Sequence, residues 1–319
     1  MEIGVVGLGR MGGGLALQSL NKNIKVSAFT LGEVGDEFKN TDIQIFTRLN
    51  DLVASLQRPR KIFLYVPAGK AVEHLIQDLA KLMDKNDIII DGGNSYWGDS
   101  IRRHKELSKN GIRLLDVGTS GGVSGANEGA CFMVGGDKEA FEEIAPILEK
   151  ISAPNGFAYI GPSGTGHLIK LIHNGIEFGM LQAIGEGMAL IEKFKTTLPI
   201  DMDAVFKTYC NGSVIRSWLM DLMAEQYQQN AGMLKIPDYI EDTGEVNWLI
   251  QDALELEVPV PVISHSVMEL FRSRDKNGFD HRAISLMRHG FGGHPFGQKK
   301  ELENERHTSR INSSFGGIQ

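Results

Sequence analysis

Four polar residues in one apolar-periodic stretch have the types and the spacing of an acid–base site. They are Lys170, His173, Asn174 and Glu177. Their offsets of i, i+3, i+4 and i+7 place them on one face of a predicted helix. Gly175 and Gly179 beside them each cost about 1 kcal/mol of helix propensity against alanine, which favours close approach of a ligand or of another backbone. The alternative is a solvated helix face that carries a chance Lys/Glu pair.

A second set of residues indicates dinucleotide binding. The apolar strand over residues 3–6 runs directly into Gly7, Leu8, Gly9, Arg10, Met11 and Gly12, and a helix and a second strand follow. In this order the first glycine permits a tight turn, the second admits a pyrophosphate and the third lets helix and strand pack closely. The phosphates would lie at the positive end of the helix. The alternative is a glycine-rich turn without a ligand.

The cofactor's identity depends on the tip of the second predicted strand, where an acidic residue favours NAD and an arginine favours NADP. Thr30 stands there and can hydrogen-bond with either form, while Glu33 lies further along the chain. The expected cofactor is therefore NAD or NADP, with the preference undecided. Val66, Pro67 and Ala68 end the next buried strand and join the predicted cofactor-binding residues.

The N-terminal half alternates short apolar strands with amphipathic helices, which predicts an α/β fold with a Rossmann-type doubly wound parallel sheet. Ligands bind such sheets at the carboxyl ends of the strands. Four polar or glycine residues fall at those ends, where ordinary turn chemistry is the alternative explanation. They are Asn94, Ser120, Gly121 and Gly122.

Beyond a Gly-Pro-Ser-Gly break at residues 161–164, only helix-like periodicity remains. We therefore predict three parts. They are a dinucleotide-binding domain over residues 1–163, an all-helical substrate and dimerisation domain over 164–297, and a polar tail over 298–319.

Composition argues against several classes of partner and ligand. The net charge of -7 argues against a nucleic-acid partner held by a basic patch. Cys131 and Cys210 lie far apart, which is typical of reduced thiols, and no His/Asp cluster has metal-ligand spacing. We see neither a signal peptide nor an apolar run long enough to span a bilayer, so a cytoplasmic protein without a membrane partner is expected.

Taken together, the motifs resemble the 6-phosphogluconate dehydrogenases, in particular their short form, over nearly the whole chain. The resemblance rests on six segments, in this order. They are GLGRMG (7–12), IIDGGNS (89–95), DVGTSGGVSGA (116–126), GHLIKLIHNGIEFG (166–179), TGEVNW (243–248) and RHGFGGH (288–294). The wider β-hydroxyacid dehydrogenases usually lack the second segment and the K-x-x-H-N-x-x-E pattern.

The resemblance implies oxidative decarboxylation of 6-phospho-D-gluconate to D-ribulose 5-phosphate and CO2, with reduction of NAD or NADP. Lys170 would be the general base on the C3 hydroxyl, and Glu177 would protonate C1 of the enediol. A lysine base must be partly neutral at working pH, so its pKa must fall well below about 10.4.

The remaining implied residues hold the substrate, some of them from a neighbouring subunit. His173, Asn174, Asn94 and the turn from Ser120 to Gly122 would bind the sugar acid, and Thr243 would bind its phosphate. Arg288 and His294 look like the pair that a neighbouring subunit lends to the site, which implies a homodimer or a higher homo-oligomer.

Departures from the family pattern cluster at the phosphate end. Phe178 replaces a tyrosine, Glu241 a lysine, and Leu270 an arginine for which Arg272 and Arg274 are possible stand-ins. A carboxylate such as that of Glu241 repels a phosphate dianion. A related 3-hydroxyacid or aldonate dehydrogenase that acts on a non-phosphorylated substrate is therefore the alternative function. A non-catalytic dinucleotide-binding sensor would lack Lys170 or Asn174.

Overall fold

A computed structural model describes residues 1–300 of the 319-residue chain. Most of the predicted tail over residues 298–319 therefore lies outside the described residues. The strands, in chain order, are β1 (Glu2–Val6), β2 (Lys25–Phe29), β3 (Gln44–Phe46), β4 (Lys61–Leu64), β5 (Ile88–Asp91), β6 (Arg113–Ser120), β7 (Ala130–Gly136) and β8 (Ser152–Gly161).

Twelve α-helices lie within the described residues. They are α1 (Arg10–Asn21), α2 (Leu49–Ser55), α3 (Lys70–Leu82), α4 (Trp97–Ser108), α5 (Gly122–Glu128), α6 (Lys138–Ile151), α7 (Thr165–Phe194), α8 (Met202–Cys210), α9 (Trp218–Gln229), α10 (Val246–Glu255), α11 (Pro261–Arg274) and α12 (Phe279–Gly292).

All eight strands form one sheet in the order β3-β2-β1-β4-β5-β6-β7-β8. The first six positions follow the order 3-2-1-4-5-6 of a dinucleotide-binding fold, whose chain reverses direction across the sheet between β1 and β4. The glycine motif follows β1 and therefore lies at this switch point. The predicted fold class, a Rossmann-type sheet followed by helices, is confirmed.

The sheet separates two hydrophobic cores, as the strand period of two requires. Val5, Ile88 and Leu115 pack on the face covered by α1 and α6. Val6 and Ile89 pack on the opposite face, which α2, α3 and α4 cover. Because both faces are buried, the strands are almost continuously apolar, and this is why their sequence shows runs without alternation.

One strand pair departs from the predicted parallel sheet. β7 runs antiparallel to β6, with Val117 opposite Val134, while the other ladders are parallel. The connection between these strands is the short helix α5, and an antiparallel neighbour needs no long crossover. The predicted parallel sheet therefore contains one antiparallel pair.

The chain groups into two compact units whose limits differ from the predicted domains. Met1–Ile176 and Gly244–Pro259 form the first unit, and Glu177–Thr243 with the described residues from Val260 onward forms the second. The division falls inside α7, so the first turns of that helix belong with the sheet. A domain boundary at residues 163 and 164 stays a prediction.

Candidate active site

Helix α7 is anchored at its N-terminus by a carboxylate from the sheet. Asp116, fully buried in β6, accepts hydrogen bonds from the backbone N–H groups of Gly164 at 2.7 Å and His167 at 3.0 Å. The carboxylate satisfies N–H groups that have no partner within the helix, and it lies at the positive end of the helix dipole. A Cβ at Gly166 would lie 2.2 Å from the Asp116 carbonyl oxygen, so helix and strand approach closely only with glycine there.

One turn further along α7, three predicted site residues form a connected set. The Lys170 Nζ lies 3.4 Å from Nδ1 of His173, and Nε2 of that ring lies 3.0 Å from the Ser120 hydroxyl at the end of β6. Gly118 makes room for the lysine, since a Cβ at that position would lie 2.4 Å from the Lys170 Cβ. An amine, an imidazole and a hydroxyl are thereby lined up at the carboxyl end of a strand.

A second pair of predicted residues meets beside this set. The Asn174 side chain, which is 8% exposed, donates a hydrogen bond to the Asn94 side-chain oxygen at 3.4 Å. The loop that carries Asn94 is shaped by Asp91, which accepts from the Gly93 N–H at 3.1 Å and from the Ser95 hydroxyl at 2.8 Å. Asn94 therefore stands on an internally hydrogen-bonded loop.

Asp91, Asp116 and His167 are the supporting residues that the sequence interpretation missed. The two carboxylates are register partners in β5 and β6. Buried His167 joins the strands to the helices, with Nδ1 at 2.8 Å from the Ser100 hydroxyl and Nε2 at 3.1 Å from the Asp91 carbonyl oxygen. The available signal was an acidic residue that directly follows a run of apolar residues at both sites.

The glycine loop after β1 has the shape that a dinucleotide requires. Gly7 has a φ of +93° and packs against the Tyr65 carbonyl oxygen, and a Cβ at Gly12 would lie 2.1 Å from the Gly7 carbonyl oxygen. Gly9 is exposed, and a Cβ there would contact nothing within 4 Å. In the first turn of α1, which is fully described, no acidic side chain and no side-chain cap occupies the helix N-terminus. This opening fits an anionic pyrophosphate.

The other predicted cofactor residues border that loop. Val66, Pro67 and Ala68 follow β4, the neighbour of β1, and Arg10 and Met11 begin α1 while Leu8 stands between the first two glycines. Thr30 follows β2, where its hydroxyl accepts from the Gly32 N–H at 3.2 Å.

The predicted substrate turn follows β6. Gly121 and Gly122 have φ values of +113° and +58°, which an L-residue with a side chain rarely adopts, and Gly122 begins α5. These conformations leave Ser120 at the strand end, within reach of His173 as described above.

The remaining predicted residues belong to the second unit. Glu177 continues the polar stripe of α7, Thr243 lies before α10, exposed Arg288 lies in α12, and half-buried His294 follows that helix. The His294 carbonyl oxygen lies 2.8 Å from Nδ1 of His289.

Both possible stand-ins for the phosphate-binding arginine have carboxylate partners. Arg274 donates to the Leu270 carbonyl oxygen at 3.3 Å and to Asp242 at 3.1 Å, directly before Thr243 in the chain. Arg272 lies 3.5 Å from a Glu269 oxygen and 3.6 Å from an Asp280 oxygen. Each positive charge is thus already partly balanced within the second unit.

Two family models cover this chain almost end to end. The NAD-binding domain of 6-phosphogluconate dehydrogenase matches residues 2–161, and the 6-phosphogluconate dehydrogenase C-terminal domain matches residues 166–306. The chain belongs to the 6-phosphogluconate dehydrogenase family. The family resemblance inferred from the motifs is confirmed.

Individual relatives agree with this assignment. An NAD(+)-dependent, decarboxylating 6-phosphogluconate dehydrogenase of Haloferax volcanii is 38% identical over 94% of this chain and 100% of its own length. A Bacillus subtilis enzyme of the same name is also 38% identical, but the match spans only 61% of that longer protein. The Plasmodium falciparum 6-phosphogluconate dehydrogenase structure superposes with a TM-score of 0.76 at 28% identity, covering 96% of this chain and 69% of that one. The chain thus spans the whole length of the first of these relatives and less than two thirds of the second.

Two further observations concern membrane-spanning helices and metal sites. None of the helices in residues 1–300 combines the length and the apolar composition that a membrane span requires. The same residues contain no group of three or more His, Cys, Asp or Glu side chains arranged to hold a metal ion.

Proposed function

We propose that this protein catalyses the oxidative decarboxylation of 6-phospho-D-gluconate to D-ribulose 5-phosphate and CO2, with reduction of NAD or NADP. The observation that carries the proposal is the Lys170–His173–Ser120 set beside the Asn174–Asn94 pair. All five residues stand at the carboxyl ends of β5 and β6 or on the anchored start of α7, where a doubly wound sheet binds its ligands.

In this proposal Lys170 acts first as a base and then as an acid. Its amine takes the proton of the substrate's C3 hydroxyl as the C3 hydride leaves for the nicotinamide ring, which is the chemistry that the bound cofactor supplies. The lysine ammonium then donates a hydrogen bond to the new C3 carbonyl. This carbonyl accepts the electron pair of the C1–C2 bond when that bond breaks and CO2 leaves.

His173, Asn174, Asn94 and the turn from Ser120 to Gly122 hold the sugar acid in this proposal. Glu177, seven residues after Lys170 on the same helix, protonates the enediol carbon and completes the reaction. Thr243 and Arg288 bind the phosphate group, and His294 assists from the same segment as Arg288.

The dinucleotide would bind at the loop from Gly7 to Gly12, with its pyrophosphate at the N-terminus of α1. Exposed Gly9 and the uncapped first turn support this proposal, in which Thr30 hydrogen-bonds with the ribose. Val66, Pro67, Ala68 and Asn94 line the neighbouring strand ends. We leave the choice between NAD and NADP open, because relatives of both kinds match this chain.

We further propose that the protein is a cytoplasmic homodimer of the pentose phosphate pathway, in which Arg288 and His294 reach the partner's site. Supporting this, α12 has no buried residue within the described chain, and Phe279, Leu286 and Phe291 on it are 65–76% exposed. Apolar surface of this extent commonly marks a protein interface.

Initial rates of nicotinamide reduction test the proposed reaction. They should be measured with 6-phosphogluconate and with gluconate, each with NAD and with NADP, while the released CO2 is trapped. Rapid reduction with one CO2 per reduced nicotinamide from the phosphorylated substrate is the expected result. Reduction without CO2, or with gluconate only, would contradict it.

A second candidate function is oxidation of a non-phosphorylated aldonate or another 3-hydroxy acid. The ion pairs of Arg274 with Asp242 and of Arg272 with Glu269 favour it, because each guanidinium has less free charge to offer a phosphate. Exposed Glu241 and the apolar Phe178 and Leu270 point the same way. The gluconate arm of the rate experiment separates the two functions.

A further inference from the structure

One family motif, residues 243–248, contributes only Thr243 to the proposed site, yet the helix it begins reaches the Asn94 loop. Asp252 of α10 accepts a hydrogen bond from the Trp97 Nε1–H at 2.7 Å and from the Tyr96 hydroxyl at 3.4 Å. These contacts join residues that lie 155 and 156 positions apart, within the first compact unit.

Aromatic packing reinforces the two hydrogen bonds. The Tyr96 ring lies 5.3 Å from the Trp97 ring and 5.5 Å from the Trp248 ring, between centroids, and it meets the latter edge to face. Pairs with this geometry add about 0.5–1.5 kcal/mol beyond the burial of their area. We name this group of Tyr96, Trp97, Trp248 and Asp252 the α10 clamp.

The α10 clamp holds one end of the Asn94 loop. Tyr96 is two residues beyond Asn94, and on the other side Asp91 fixes Gly93 and Ser95 by hydrogen bonds. The loop is therefore fastened at both ends, once within β5 and once by a helix that arrives from far along the chain. Loss of either fastening lets Asn94 move relative to Asn174.

We infer that Asp252 is a positioning residue, which holds Asn94 in its substrate-binding place through Trp97 and Tyr96. This inference rests on the proposed function for Asn94's role, but the fastening itself is a property of the loop. Misplacement of a binding group by about 1 Å can cost on the order of a hundredfold in rate.

Three variants test the inference. Asp252→Ala removes both acceptors, and Trp97→Phe removes one donor while keeping an aromatic ring. Gln251→Ala, at an exposed position of the same helix, is the control. We expect Asp252→Ala to raise the KM for 6-phosphogluconate and lower kcat, each by about tenfold. The dissociation constant of the dinucleotide should change less than twofold, and Gln251→Ala should match the wild type.

The double variant of Asp252 and Trp97 gives a stricter test, because it measures whether the two residues act together. If Asp252 acts through Trp97, the double variant should be no worse than Asp252→Ala alone, since residues in one interaction are not additive. Wild-type kinetics in Asp252→Ala, or effects that add in the double variant, would overturn the inference. An equal loss of substrate and dinucleotide binding would overturn it too, because that indicates general destabilisation. If Asp252→Ala does not fold, Trp97→Phe alone decides by the same criteria.

Amide hydrogen exchange keeps this test separate from the proposed reaction. Asp252→Ala should exchange residues 91–97 at least about tenfold faster than the wild type, with or without any substrate. Unchanged exchange there would refute the fastening. A wild-type protein that does not oxidise 6-phosphogluconate, but whose loop loosens in Asp252→Ala, would instead refute the proposed function.

Discussion

The residues around Lys170 and those of helix α12 differ in how much contact they make with the rest of the chain. Around Lys170, the side chains of Asp116, His167 and Asn174 are buried and hydrogen-bonded to neighbouring elements. In α12 no residue is buried, and Arg288 lies among exposed apolar side chains. The first region is preorganised by its own fold, whereas the role proposed for the second depends on a partner chain.

The contrast separates two ways of placing a functional side chain. A buried carboxylate with two N–H partners fixes the position of a helix within one molecule. Substitutions at such a contact are poorly tolerated. An exposed apolar helix fixes geometry only on association, so its contribution depends on protein concentration. The variants below test this contrast.

Replacement of the proposed base should have the largest effect. In Lys170→Met the stem is kept and the amine is lost, so turnover should fall by at least about a thousandfold. Dinucleotide binding, measured by fluorescence titration, should stay within twofold of the wild type because the Gly7–Gly12 loop is unchanged. Normal turnover in this variant would refute the assignment of Lys170 as the base.

Gly166→Ala should disturb the residues around Lys170 through packing alone. The new Cβ would lie 2.2 Å from the Asp116 carbonyl oxygen and 2.5 Å from that of Met133, so α7 must move away from the sheet. We expect a loss of about 2–4 kcal/mol in the free energy of unfolding, measured with denaturant.

A control on the same helix distinguishes packing from helix propensity. Gly185→Ala places a Cβ where nothing lies within 4 Å, so it should leave stability unchanged or raise it by up to about 1 kcal/mol. Equal stability of the two variants would contradict the close approach of α7 to β6.

Arg288→Ala tests the exposed region. If Arg288 binds the phosphate as proposed, its loss should raise the KM for 6-phosphogluconate by about ten- to a hundredfold while the free energy of unfolding stays within about 0.5 kcal/mol. Arg282→Ala, also in α12, is the control and should leave KM unchanged. If both variants behave alike, Arg288 has no specific role.

The smallest expected effect concerns acid stability of the first unit. Hydrogen bonds from Arg102, and then from Arg103, lower the pKa of Glu73 to about 2. Its stabilisation is present above the unfolded pKa of about 4.5 and is lost as the pH falls towards 2. Glu73→Gln should cost about 1–2 kcal/mol at pH 7, because partial exposure screens the pair, and the difference from wild type should vanish near pH 2.

Glu106→Gln provides the matched comparison for that titration. Glu106 also faces Arg102, but at 3.4 Å and with a side chain that is 55% exposed. Denaturant unfolding between pH 7 and pH 2 should show almost no difference between this variant and the wild type. A pH-independent difference for Glu73→Gln would show that its loss is one of packing.

The sequence was informative wherever a local pattern determines structure. The Gly7–Gly12 loop, the strand–helix alternation and the long helix α7 follow from spacing within about 30 residues, and the structure has all three. The short elements β3 and α2 were missed because three and seven residues carry too little periodicity. Helix α12 was missed because its glycine-rich end is typical of a loop.

The support of the site could not be predicted in the same way. Asp116 binds N–H groups 48 and 51 residues away, and Asp252 binds Trp97 across 155 residues. Neither pairing leaves a periodic signal, because each depends on which elements meet in three dimensions. The proposed site residues could thus be named from the sequence, while the residues that hold them in place could not.

The discontinuity of the first unit sets an order of events during synthesis. A ribosome that adds about 5–20 residues per second needs roughly 4–16 s to pass from Lys170 to Asp252. Throughout that interval the nascent chain already contains the sheet and Lys170, but it lacks helix α10, which fastens the Asn94 loop. The oxidation site therefore remains unfinished until most of the polypeptide has left the ribosome, which delays the first appearance of catalysis beyond the folding of the dinucleotide-binding sheet.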